Sequence, residues 1–125
     1  MTKKSLVLVA RHDLEARLGL YCALERSGYL VATCSLGVEA LKYVAKYHPD
    51  IVLCGTRLWD IDGLALVHEI KSMSPETRVF LMSPEGDWIL RREVLARGGE
   101  DLLVEPVDGS LLMEALKREG ELSVP

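Results

Sequence analysis

The sequence predicts an α/β fold, a parallel sheet doubly wound with helices on both faces. Three observations carry the prediction: short apolar runs recur five times, segments of helical period separate them, and turn residues punctuate the junctions. The first run, Leu6-Val7-Leu8-Val9-Ala10, is apolar throughout, as a strand covered on both faces requires.

Asp13 stands as an N-cap after this first strand. Leu14, Leu18, Tyr21 and Leu24 follow at helical spacing, and Gly28 sits where a left-handed residue stops the helix. Leu30 to Cys34 is the second strand. Ser35 is expected to cap the second helix, with Val38, Leu41 and Ala45 on its buried side and Pro49 blocking its continuation. Ile51 to Cys54 is the third strand, and Gly63 opens a third helix carrying Leu66, Val67 and Ile70. Arg78 to Met82 is the fourth strand, and Asp87 to Arg97 the fourth helix, closed by Gly98-Gly99. Leu102 to Val104 is the fifth strand. A last helix, capped by Asp108, carries Leu112, Ala115 and Leu116. Residues 1–119 read as one domain and 120–125 as a C-terminal tail or the start of a linker.

Bulk properties narrow the function classes. A chain of 125 residues, 49% apolar and 27% charged, suits one folded domain that needs neither disulfides nor a structural metal. Its apolar runs are far shorter than the roughly 20 residues of a membrane span, and Met1-Thr2-Lys3-Lys4 leads straight into a strand, so neither signal peptide nor anchor is expected. Cys22, Cys34 and Cys54 lie within apolar periodic segments and read as reduced, buried thiols, which points to the cytoplasm. A net charge of −4 gives this domain no electrostatic grip on nucleic acid.

In a doubly wound sheet the functional crevice lies at the carboxyl ends of the strands. That rule selects Arg11-His12-Asp13, Gly55-Thr56-Arg57, Ser83-Pro84 and Glu105-Pro106. Over about residues 5 to 119 the chain resembles the response-regulator receiver (CheY-like) family. The resemblance rests on Gly28-Tyr29, Pro49-Asp50-Ile51-Val52-Leu53, Asp62-Gly63 and the run from Gly98-Gly99 to Glu105-Pro106. It implies a five-stranded sheet of order 2-1-3-4-5 and a place in two-component signalling. It also implies a Mg²⁺-binding acidic pair after the first strand, a phosphoacceptor aspartate after the third, and a Ser/Thr and a Lys that sense the phosphoryl group.

Those family positions fall here on Arg11 and His12, Gly55, Ser83 and Glu105, with the family's aromatic switch on Leu102 and its post-lysine proline on Pro106. Gly55 offers no carboxylate to form an acyl phosphate, and Arg11 and His12 repel the cation that two acids would hold. No phosphorylation, metal or other cofactor is therefore expected. Two bases facing an acid invert the family's polarity, and an Arg11–Glu105 pair would bridge the first and fifth strands with a guanidinium fork. Drifted, separately solvated side chains are the other reading. A shift of one residue would instead bring Asp13 into the pocket.

Trp59 and Trp88 flank this crevice, either as anchors of a partner-binding rim or as covers on core edges. His12, His48 and His68 lack ligand partners at zinc spacing, and Cys54 reads as an inert buried thiol. Arg91, Arg92, Arg97, Glu100, Asp101, Lys117, Arg118 and Glu119 resemble the charged face through which many receivers dimerise; a solvated surface is the plainer reading. The sequence therefore points to a non-enzymatic pseudo-receiver acting through protein–protein contact, with no nucleic-acid or membrane partner of its own. The alternative is an anion or small-ligand sensor built on Arg11, His12 and Ser83. The chain contains no Gly-x-Gly-x-x-Gly, P-loop or nucleophile elbow to support an enzyme.

Overall fold

The computed structural model describes residues 4–122, with side chains to Lys117. Five strands alternate with five helices: β1 (Leu6–Ala10), α1 (Leu14–Arg26), β2 (Leu30–Cys34), α2 (Gly37–Tyr47), β3 (Ile51–Gly55), α3 (Gly63–Met73), β4 (Arg78–Ser83), α4 (Trp88–Ala96), β5 (Asp101–Val104) and α5 (Gly109–Leu122). All strand pairs are parallel, in the order β2-β1-β3-β4-β5. Order reverses between β1 and β3, which pair with Val7 opposite Ile51 and Ala10 opposite Cys54. The crevice expected for this topology therefore opens above Ala10 and Gly55.

The strands form because each can be covered on both sides. Leu8, Ala10, Val52, Cys54, Val79 and Leu81 face a cluster filled by Ala40, Val44, Leu66, Val67, Ile70 and Val94 from α2, α3 and α4. Val7, Val9, Leu53, Phe80 and Met82 face Leu24 of α1 and Leu112 and Leu116 of α5. β3 is buried along its whole length, as a central parallel strand must be. Gly28 and Gly98 adopt φ values of +94° and +89° just after α1 and α4, the left-handed geometry that ends a helix at little cost for glycine.

Several local expectations are corrected. Asp13 occupies the N-cap position of α1 without making a side-chain capping bond, because its carboxylate accepts instead from Arg11. Ser35 does not cap α2. The N-cap is Leu36, and Asp60, from the loop after β3, accepts from the amides of Gly37 at 2.6 Å and Val38 at 3.0 Å. Gly37 is required there, since a side chain would collide with Ile61 beside Asp60. α2 buries Gly37, Ala40 and Val44, while Val38 and Ala45 are exposed and Leu41 is half-buried. On α1 only Leu24 is buried, and Leu14 and Leu18 face outward. Cys54 is buried, Cys34 half-buried and Cys22 exposed, so the uniformly buried thiols are not found. β3 and β4 reach one residue further than expected, to Gly55 and Ser83, and β5 begins at Asp101. α5 runs to Leu122, which makes residues 120–122 helical; residues 123–125 of the expected tail lie outside the described residues.

Candidate functional site

Arg11 leaves β1 with its backbone amide bonded to the carbonyl of Cys34, so its side chain is aimed from a fixed position into the crevice. Only 8% of it is exposed. Nη1 donates to Glu105 Oε2 at 2.5 Å and Nη2 to Glu105 Oε1 at 3.2 Å, a two-pronged bond between the loops after β1 and β5. Nε donates to Asp13 Oδ1 at 3.1 Å. Arg17, one turn into α1, steadies the loop by donating to the carbonyl of Arg11 at 2.8 Å. Burial disfavours the guanidinium charge, but the hydrogen bond and charge of Glu105, then those of Asp13, outweigh it and hold the pKa of Arg11 above the ordinary arginine value.

Gly55 ends β3 beneath this bridge. A β-carbon built on it would lie 3.5 Å from Arg11 Nε and 3.8 Å from Cζ, so a side chain at position 55 would pack directly against the guanidinium. Ser83 is buried, and its hydroxyl accepts from the amide of Glu85 at 3.0 Å. Pro106 follows a cis peptide bond from Glu105, and Leu102 is buried under the sheet edge. His12 does not join the bridge. Its Nδ1 lies 3.0 Å from the carbonyl of Arg57 and its ring meets Trp59 edge-on at 5.3 Å.

Both tryptophans are largely exposed, Trp59 at 69% and Trp88 at 65%. Arg92 stacks over Trp88 at 5.3 Å. Much of the charged face pairs within the chain, Arg91 with Asp101 at 2.9 Å, Arg97 with Glu93 at 3.1 Å and Arg78 with Glu100 at 3.5 Å. The side chains of Arg118 and Glu119 lie outside those described. Concavities of about 380 and 390 Å³ open at the opposite, amino-terminal ends of the strands, around Asp50 and Glu76, away from Arg11.

The family model for the response regulator receiver domain matches residues 7–117. The chain belongs to this family. The transcriptional regulatory protein ZraR of Escherichia coli K12 is 32% identical over 112 residues, which are 90% of this chain but 25% of that protein. The chain thus spans about a quarter of the length of such relatives. Chemotaxis response regulator CheY4 of Vibrio cholerae shares the fold at a TM-score of 0.86 and 24% identity, over 93% of this chain and 98% of that one. A response regulator of Burkholderia pseudomallei, solved with a phosphorylated aspartic acid and a calcium ion, matches at 0.83 and 21% identity, over 98% and 76%.

The receiver's strand-end residues do not fit the divalent cation that the family resemblance implies. The guanidinium of Arg11 places fixed positive charge over Gly55, and it engages both oxygens of Glu105 and one of Asp13. Among the described residues no cluster of three His, Cys, Asp or Glu could hold a metal ion. Of the residues selected by sequence, Arg11, Gly55 and Glu105 converge, while Ser83 and His12 turn to backbone partners. Asp13 and Arg17 complete the arrangement. Asp13 was visible as a candidate through its place after β1; nothing in the sequence marked Arg17, whose contact depends on the loop's conformation. No helix among the described residues is long and apolar enough to cross a membrane.

Proposed function

We propose that this receiver domain works without phosphorylation, as a non-enzymatic cytoplasmic signalling module that acts by binding a protein partner. The observation that carries the reading is the Arg11 guanidinium lying over Gly55 and gripping Glu105. A phosphoryl group needs a carboxylate nucleophile and a cation. At this site the nucleophile position is a glycine and the cation's place is taken by a protein-borne charge. The bridge ties the loop after β1 to the loop after β5.

The face formed by α4, β5 and α5 suits the partner. Trp88, Ile89, Val104 and Leu111 are exposed there, and the segment at Gly86 packs directly on Val104. Exposed apolar side chains that include a tryptophan have the composition of an interface anchor. We assign it to a different protein rather than to a second copy, because Arg91 and Arg97 are already paired within their own chain. The anion-sensor reading draws less support, since Arg11 spends all three of its guanidinium nitrogens on Glu105 and Asp13. The test is an amide NMR spectrum recorded before and after addition of Mg²⁺ and acetyl phosphate. Unmoved signals for Gly55, Ser83 and Glu105 are expected; saturable shifts there would overturn the reading.

A further inference from the structure

The outward face of α1 holds a glycine that its own chain does not use. Gly19 lies in the middle of the helix, where glycine is destabilising by roughly 0.5–1 kcal/mol relative to alanine. Its φ is not positive, and a β-carbon built on it meets nothing within 4 Å. Neither backbone geometry nor intramolecular packing therefore calls for it.

At 100° per residue, Glu15, Gly19, Cys22 and Arg26 fall along one line on the side opposite the buried Leu24, with Leu18 beside them. Glu15, Gly19, Cys22 and Arg26 are exposed, as are Leu18 at 53% and Leu14 at 59%. Among the described residues neither Glu15 nor Arg26 forms an ion pair, in contrast to the arginines of α4. The line is self-complementary. When two such helices run antiparallel about a point between Leu20 and Tyr21, Glu15 of each faces Arg26 of the other and Gly19 faces Cys22. The missing side chain of Gly19 then admits the opposing helix closely.

We infer that α1 is a self-association surface, through which two copies of this chain pair about a two-fold axis by antiparallel α1–α1 packing. The α4–β5–α5 face stays open in that dimer. Cys22 of the two copies would stand about 4.5 Å apart along the helix axis, from a rise of 1.5 Å per residue. Cys34 and Cys54, raised to about 12 by burial, would not compete for a thiol reagent.

Sedimentation equilibrium on the 125-residue chain tests the inference, with a short bismaleimide as a second probe. The wild type should dimerise and cross-link through Cys22, and Cys22→Ser should abolish the cross-link. Glu15→Arg should weaken association roughly tenfold, as two ion pairs become repulsive contacts, and the swap Glu15→Arg with Arg26→Glu should restore it. Gly19→Leu should give a monomer that still folds, because leucine is the better helix former and the space around it is open. A wild type that stays monomeric overturns the inference. So does a charge swap no tighter than Glu15→Arg, or a dimer indifferent to Gly19→Leu and lost with Ile89→Arg, which would place self-association on α4.

Discussion

Removing Glu105 deprives the guanidinium of Arg11, a residue only 8% exposed, of the partner on two of its nitrogens. Breaking a fully buried ion pair from one side typically costs 3–5 kcal/mol. Two features reduce that figure here: the Glu105 side chain is 22% exposed and so partly solvated, and Arg11 retains Asp13 at 3.1 Å. Glu105→Ala should therefore destabilise the domain by about 1–3 kcal/mol. Arg11→Ala should cost at least as much, because it also empties packed volume above Gly55 and against Met82 Sδ, 3.9 Å from Nη1. The double variant should be less damaged than the sum of the two, with a coupling of about 1–3 kcal/mol. Urea denaturation followed by tryptophan fluorescence and far-UV circular dichroism measures all four corners of the cycle. The swap Arg11→Glu with Glu105→Arg should recover part of what either reversal loses. Additive single effects, together with a swap that recovers nothing, would show that the two side chains are independent and refute the bridge.

Three further outcomes follow from the same geometry. Gly55→Asp should not restore phosphorylation by acetyl phosphate, because the new carboxylate would meet Arg11 about where Nε stands 3.5 Å from the built β-carbon; an adduct in the mass spectrum would contradict this. Hydrogen bonds from the amides of Gly37 and then Val38 hold the Asp60 carboxyl below its ordinary value, so its contribution to stability is present above the unfolded pKa near 4 and is lost as pH falls through the lower folded value. The gap in Tm between wild type and Asp60→Ala should accordingly be open at neutral pH and close in acid. Maleimide at pH 7 should label Cys22 alone in the native protein and all three cysteines in denaturant, since burial pushes the Cys34 and Cys54 thiols up to about 12.

The sheet was legible because its strands are written as uninterrupted apolar runs, a pattern that survives wherever both faces are covered. The site was legible for a topological reason. Arg11 and Glu105 are 94 residues apart, yet the rule that function gathers at the strand carboxyl ends sets both residues at one crevice. Local capping was harder to read. Ser35 is the natural cap by proximity, but Asp60 reaches α2 from 23 positions away, and no local signal announces that arrival. Asp13 has the right residue type and position for an N-cap; competition from the charged Nε of Arg11 decides its orientation. On α1 Leu14, Leu18, Tyr21 and Leu24 recur at helical spacing, yet of these only Leu24 is buried, and Leu14 and Leu18 stand in water. A helix that is apolar on two sides does not disclose which one the sheet will cover.

The central claim, that this receiver works without phosphorylation, is tested most directly by intact-protein mass spectrometry after incubation with acetyl phosphate and millimolar Mg²⁺. A receiver domain known to accept phosphate would serve as the parallel control. The account predicts an unchanged mass for this chain while the control gains one phosphoryl group. A stoichiometric, acyl-type phosphate adduct on any strand-end carboxylate, Asp13 or Glu105 included, would contradict it.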